Sequence, residues 1–302
     1  MTTQRTKAWL TYALITVGFW GVWGAFTGAP ANHGFPETLI YCVWAITMIA
    51  PALFALHRVG WRLEYDPKSV LYGSLIGLLG AGGQMLLFHA VRSGPAYLIF
   101  PVISLSPLVT VVMSFLLLRE RTGKLGTAGI VLALASLPLF DYAGGPVGSS
   151  VGEAAWFLCA LGVLLAWGVQ AFFMKLANAS MSAESIFFYM AVTAVLLMPV
   201  AFVMTDFSTP INWGITGAGS AAVVQILNAI GALCLVYAFR YGKAIVVAPL
   251  ANAGAPLLTA LLSALVLQAI PTTSKAVGIV LALIAAVLLA IEPEPTPLEA
   301  ST

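Results

Sequence analysis

The sequence predicts an all-α integral membrane protein of ten transmembrane helices, arranged as two inverted five-helix repeats with both termini cytoplasmic. Three observations carry that prediction: extreme apolarity, a one-sided distribution of basic residues, and an internal repeat. Of 302 residues, 61% are hydrophobic and only 8% are charged, and the mean hydropathy is +1.00. A water-soluble domain carries about 25% charged residues, so the solvent around most of this chain is lipid.

A spanning helix needs about 20 mostly apolar residues to cross a hydrocarbon core about 30 Å thick. Segments 9–30, 36–56, 70–91, 95–118, 123–142, 153–176, 183–205, 214–238, 244–268 and 273–291 meet that requirement. The short polar start, Met1–Lys7, leads into an apolar run without a cleavage pattern, which reads as a retained helix rather than a signal peptide. Cytoplasmic loops of membrane proteins are enriched in Lys and Arg. With the amino terminus inside, Arg5, Lys7, Arg58, Arg62, Lys68, Arg119, Arg121, Lys124, Lys175, Arg240 and Lys243 are all cytoplasmic, and of the 13 basic residues only Arg92 and Lys275 are not. The expected location is the cell inner (plasma) membrane.

The chain also resembles itself. Ala90-Val-Arg-Ser-Gly-Pro-Ala-Tyr-Leu-Ile-Phe-Pro101 aligns without a gap on Ala238-Phe-Arg-Tyr-Gly-Lys-Ala-Ile-Val-Val-Ala-Pro249. After one inserted residue, Pro107-Leu-Val-Thr110 matches Pro256-Leu-Leu-Thr259, and Gly129-Ile-Val-Leu-Ala-Leu134 recurs as Gly278-Ile-Val-Leu-Ala-Leu283. Trp20-Gly21-Val22 corresponds to Trp167-Gly168-Val169. The organisation is therefore an amino-terminal segment 1–8, a first repeat 9–142, a linker 143–152, a second repeat 153–291 and an acidic, proline-rich tail 292–302. Five helices per half is an odd number, so the second half enters the membrane upside down. Inverted repeats are a recurrent plan of secondary transporters, in which the halves exchange conformations around a central site.

These residues resemble the EamA family of the drug/metabolite transporter superfamily. The likeness rests on the Trp-Gly of each half's first helix, the Arg-Gly-Ala junction before each fourth helix and the prolines of that helix. Leu118-Arg-Glu-Arg121 and the glycine-led fifth helix add to it, and the match runs over residues 9–291. It is looser after the ninth helix, where Gln268-Ala-Ile-Pro stands in place of Arg119-Glu-Arg. The resemblance implies a ten-helix secondary transporter with a central cavity, commonly an exporter of amino acids, related metabolites or amphiphilic compounds.

No Asp or Glu falls near the middle of a predicted span. Intramembrane carboxylates are costly and are kept for ion coupling, so their absence disfavours proton or cation antiport. It favours a neutral, zwitterionic or largely apolar solute, and the family resemblance makes export more expected than import. Efflux of amphiphilic or cationic drug-like compounds is the alternative, and a cavity acid would favour it.

Candidate substrate contacts are Trp20, Trp23, Gln84, Ser104, Trp167, Gln170, Gln225, Asn228 and Asn252, with Trp44, Phe172, Phe173 and Tyr97 as further aromatics. Gln225 and Asn228 share a helical face and form the preferred polar pair. Each amide could instead hold helices together, and each ring could simply fill space. Candidate gate and hinge residues are Arg92 and Arg240, the prolines Pro101 and Pro107, and their counterparts Pro249 and Pro256. His89 is a candidate pH-sensitive group. Gly73, Gly77, Gly80 and Gly83 offer a small-residue face for close helix contact. Metal-ligand spacing, a catalytic motif and a phosphate-cradling loop are all missing. No enzyme activity, cofactor, metal or nucleic-acid partner is therefore expected, and a monomer in the bilayer is the simplest assembly.

Overall fold

A computed structural model describes residues 8–93, 102–141, 153–266 and 272–291, and every element among them is helical. The principal helices are α1 (Ala8–Phe26), α2 (Glu37–Arg58), α3 (Pro67–Ser93), α4 (Ser106–Leu117) and α5 (Lys124–Asp141). The second half supplies α6 (Glu153–Ala177), α7 (Ala183–Leu196), α8 (Ser220–Tyr241), α9 (Ala244–Val266) and α10 (Thr273–Ala290). Six apolar stretches, running through α1, α2, α3, α6, α7 and α8, are long enough to cross a membrane. The other four, Val102–Leu117, Lys124–Leu139, Ala244–Thr259 and Ala276–Leu289, are shorter. The linker 143–152 and the tail 292–302 lie outside the described residues.

Local chemistry sets the helix ends. α1 stops at Phe26, earlier than the run to residue 30 suggests, because Thr27-Gly28 intervenes and Pro30 starts a separate turn, Ala29–Asn32. α2 closes through Gly60, whose φ of 70° suits a residue without Cβ. The Trp61 N–H then reaches back to Leu56 O at 2.8 Å and Gly60 N–H to His57 O at 3.0 Å. The expected span 95–118 is described from residue 102, where a helical turn at 102–104 precedes α4 proper, which begins at Ser106 with Pro107 in its first turn. There a missing N–H costs nothing, so Pro107 starts the helix rather than kinking it. Pro249 and Pro256 do lie inside α9.

Each half lends its first helix to the other: α1 packs against α8 and α9, and α6 packs against α3 and α4. The same exchange relates the contacts of α2 with α8 to those of α7 with α3, while α2 meets α7 and α5 meets α10. Hydrogen bonds repeat the relation residue by residue. Thr110 Oγ1 donates to Gly168 O at 2.9 Å, and Thr259 Oγ1 donates to Gly21 O at 2.9 Å. Trp167 Nε1 donates to Gly80 O and Trp20 Nε1 to Asn228 O, both at 3.2 Å. Gly73 and Gly77 press against α7 and Gly80 and Gly83 against α6. A Cβ at Gly77 would stand 2.9 Å from Tyr189 O, and one at Gly83 would stand 2.5 Å from Trp167 Nε1.

One end of the bundle is cross-linked by polar groups. Lys175 Nζ at the end of α6 donates to Phe239 O in the last turn of α8 and to Gly242 O just after it. Ile245 N–H at the start of α9 donates to Glu120 Oε2 at 3.0 Å, and Lys243 Nζ donates to Arg121 O. Tyr237 Oη donates to Glu184 Oε1 at 2.6 Å, and Arg240 donates to Met181 O at 3.2 Å. α1 begins at this same end, where Tyr12 stacks on Tyr237 with ring centroids 4.9 Å apart. α1 thus starts where its counterpart α6 finishes. At the opposite end, Asn212 bonds His33 O and Gly34 O, and the Thr38 and Thr205 hydroxyls meet at 2.7 Å.

Glu64 anchors the cross-linked end by capping α7. Its carboxylate accepts from Ser182 N–H at 3.0 Å and from the Ser182 hydroxyl at 2.7 Å. Burial alone raises the Glu64 pKa, but hydrogen bonds from Ser185 and Ser182 and the nearby Arg240 outweigh it, and the net shift is downward. A lowered folded pKa stabilises at pH values above the ordinary glutamate range, and the benefit is lost as pH falls through the folded value. The thermal midpoint of the parent is therefore expected to drop more steeply below about pH 4.5 than that of Glu64→Gln. Identical acid profiles in a melting series would contradict this role.

Candidate functional site

Where α1 and α6 cross into the opposite halves, a central cavity of about 440 Å³ opens, within the range of small-molecule sites. Its wall takes Trp20, Trp23, Gly24 and Thr27 from the α1 end, and Trp44 and Met48 from α2. Gly77, Gly80, Ala81 and Gln84 come from α3, and Ser106, Pro107 and Thr110 from α4. Trp167, Gln170, Ala171 and Met174 line it from α6, and Met190 from α7. Asn228, Ala232, Leu235 and Phe239 of α8, with Asn252, Ala255, Pro256 and Thr259 of α9, complete it. None of these residues is ionisable at neutral pH. The cavity runs from Phe239 and Met174, beside the cross-linked end, to Thr27 beyond the far end of α1.

The four tryptophans are fixed by their indole N–H groups. Trp44 Nε1 donates to Asn228 Oδ1 at 2.9 Å, and Trp23 Nε1 donates to Gln225 Oε1 at 3.2 Å. Trp20 and Trp167 donate to backbone carbonyls of the opposite half, as described above. An indole N–H is a donor only, so each bond also decides which way its amide partner faces. With the donors satisfied, the tryptophans offer ring surface to the cavity. Space for them comes from glycine: a Cβ at Gly231 would stand 2.4 Å from Trp20 Cδ1.

Of the sequence candidates, Trp20, Trp23, Gln84, Trp167, Gln170, Asn228 and Asn252 come together in this wall. Gln225 is 4% exposed and lies one layer behind, holding Trp23. Ser104 sits in the turn ahead of α4 and outside the lining, which Ser106 enters instead. Phe172 is buried, and Phe173 packs with Tyr72 away from the cavity. Pro107 and Pro256, at equivalent repeat positions, both line the cavity, whereas Pro249 is buried nearer the start of α9. Arg240 belongs to the cross-linked end. His89 is exposed in the penultimate turn of α3. The side chain of Arg92 and all of Tyr97 and Pro101 lie outside the described residues.

The sequence reading did not anticipate the cross-linking set Glu64, Glu120, Lys175 and Lys243. Burial raises the Glu120 pKa, against the opposing pull of the Ile245 N–H and the charges of Lys175 and Lys243. The position of Glu120 just after α4, within the Arg-Glu-Arg triplet, was the signal available.

The profile of the EamA-like transporter family matches residues 7–140 and again residues 154–291. The chain belongs to the EamA-like transporter family. Both EamA matches coincide with the two halves that exchange their first helices. The chain is also 32% identical over 76 residues to an uncharacterised protein of Methanocaldococcus jannaschii, covering 25% of this chain and 56% of that protein. It thus spans about half the length of that curated relative. A solved structure, described as the crystal structure of a protein, is similar with a TM-score of 0.76 at 19% identity. That similarity covers 93% of this chain and 98% of the other, and it concerns the fold. The EamA assignment and the apolar helices make this a multi-pass membrane protein of a transporter family.

Proposed function

We propose that the chain is a ten-span secondary transporter of the cell inner membrane, moving a small net-neutral organic solute by alternating access. An amino acid or related metabolite is the favoured cargo, with export the favoured direction. The observation that carries this reading is the central cavity, whose polar lining among the described residues is indoles, amides and hydroxyls, with no ionisable side chain. A charged solute held there would lack a counter-charge in a low-dielectric surrounding, so efflux of cationic compounds is the weaker reading.

The two halves are read as inverted across the bilayer, with both termini cytoplasmic. The cross-linked end gathers the basic residues Arg58, Arg62, Lys68, Arg119, Arg121, Lys124, Arg240 and Lys243, which supports a cytoplasmic placement. Phe239 and the first two turns of α9, Ala244–Leu250, are buried there, so this state is sealed inside and faces outward. The inward state follows by exchanging the packing of the equivalent helices α1 and α6. Pro249 and Pro256 lower the cost of bending α9 because their N–H groups are absent from its hydrogen-bond ladder.

Counterflow tests the cargo. Purified protein in liposomes preloaded with an unlabelled neutral amino acid is expected to take up the labelled compound saturably, with no imposed ion gradient. Absence of counterflow for every amino acid would sink this cargo. A strict need for a pH gradient would reveal a titrating group, with His89 the first to replace.

A further inference from the structure

The two halves are alike, but the cavity they enclose is not symmetric. Trp23 of α1 has Gln170 of α6 as its repeat counterpart, and Gln84 of α3 has Ala232 of α8. On the α1, α2 and α8 side, each amide already has one group engaged within the protein. Gln225 gives its carbonyl to Trp23, and Asn228 gives its side-chain carbonyl to Trp44. Asn252 of α9 spends its amide nitrogen on Ala248 O at 2.9 Å. On the α3 and α6 side, the Gln84 and Gln170 side chains line the cavity with no hydrogen-bond partner among the described residues. Gln170 is held with its amide against Gly80, where a Cβ would stand 2.2 Å from its Nε2.

A primary amide offers two donors and a carbonyl acceptor, and leaving it unpaired in an apolar surrounding is costly. Two such amides on adjacent helices form a patch able to serve both ends of a zwitterion. Opposite them, Trp23, Trp44 and Trp20 present aromatic surface whose N–H groups are already engaged.

We propose that the solute binds in one orientation, its hydrogen-bonding end on Gln84 and Gln170 and its apolar body against Trp20, Trp23 and Trp44. The inference rests on reading the cavity as the transport site. It defines the ligand class as net-neutral amphipathic solutes with donor and acceptor groups confined to one end. It also makes Gln84 and Gln170, rather than the Gln225 and Asn228 pair, the determinants of selectivity for that end.

Ring-matched ligands test it: tryptophan, its apolar core 3-methylindole, the cation tryptamine and the anion indole-3-propionate. Binding to the purified full-length protein is measured by equilibrium dialysis with labelled tryptophan and displacement by the others. The parent is expected to prefer tryptophan to the other three. Gln84→Met and Gln170→Met, close in shape and folded by their melting curves, are each expected to weaken tryptophan about fivefold. Binding of 3-methylindole is expected to stay within about twofold, because its ring contacts are untouched.

Methionine variants that weaken both ligands equally, or neither, would overturn the orientation. So would a preference for tryptophan that collapses in Asn228→Leu alone. A parent that binds none of the four and no aliphatic neutral amino acid would instead remove the transport-site reading, a different result from an unmoved preference. A glutamine variant that fails to fold is replaced by Gln84→Leu or Gln170→Leu, read in the same way.

Discussion

Ala171→Trp is expected to reduce flux to below roughly a tenth of the parent's while leaving the protein folded, because an indole at that position fills a cavity of ligand size. Ala171 is partly exposed in the cavity wall on α6, one residue after Gln170. The added side chain can project into the 440 Å³ space rather than into packed protein. Counterflow beside a melting curve separates blockage from misfolding. Parental flux with an unchanged melting temperature would mean that the solute takes another route.

Gly168→Ala is expected to act on stability instead, costing roughly 1–3 kcal/mol as an overpacked helix contact. A Cβ there would stand 2.6 Å from the Ser106 carbonyl and 2.5 Å from Val109 Cβ. Backbone cannot yield as a flexible side chain can, so α4 and α6 must separate. Separation also stretches the bond from Thr110 to Gly168 O. Gly82→Ala is the control, since nothing lies within 4 Å of a Cβ at that position. There alanine's better helix propensity is worth up to about 1 kcal/mol. Detergent melting curves are expected to move in opposite directions for the two variants, and equal shifts would contradict the contact argument.

Much of this was legible in the chain because a bilayer imposes a length rule and the halves repeat. The expected span 183–205 appears as α7 followed by Met198–Val203, and the matched pairs Trp20 with Trp167 and Thr110 with Thr259 turn out to make equivalent bonds. Radial position was harder to read. A helix that is apolar on every side gives no periodicity to say which face meets protein, cavity or lipid. Ser104 and Ser106 are two residues apart, yet only Ser106 lines the cavity. Gln225 and Asn228 share a face of α8, but Trp23 claims Gln225 from a helix some 200 residues away in sequence. The cross-linked end was hidden for the same reason: Lys175 bonds carbonyls at the end of α8, and Glu120 an N–H of α9. Partners so distant in sequence leave no local pattern.

Impermeant thiol labelling of Ala171→Cys, with Cys42, Cys159 and Cys234 replaced by alanine, tests most directly whether one cavity is exposed to one side at a time. Without solute, labelling is expected from the external face alone, because the end tied by Lys175, Glu120 and Arg240 is closed. Adding Lys175→Met is expected to bring cytoplasmic labelling and diminish the external reaction. Equal labelling from both faces in the otherwise unaltered protein would describe a continuous pore and contradict alternating access, and labelling from the cytoplasmic face alone would contradict the assigned orientation.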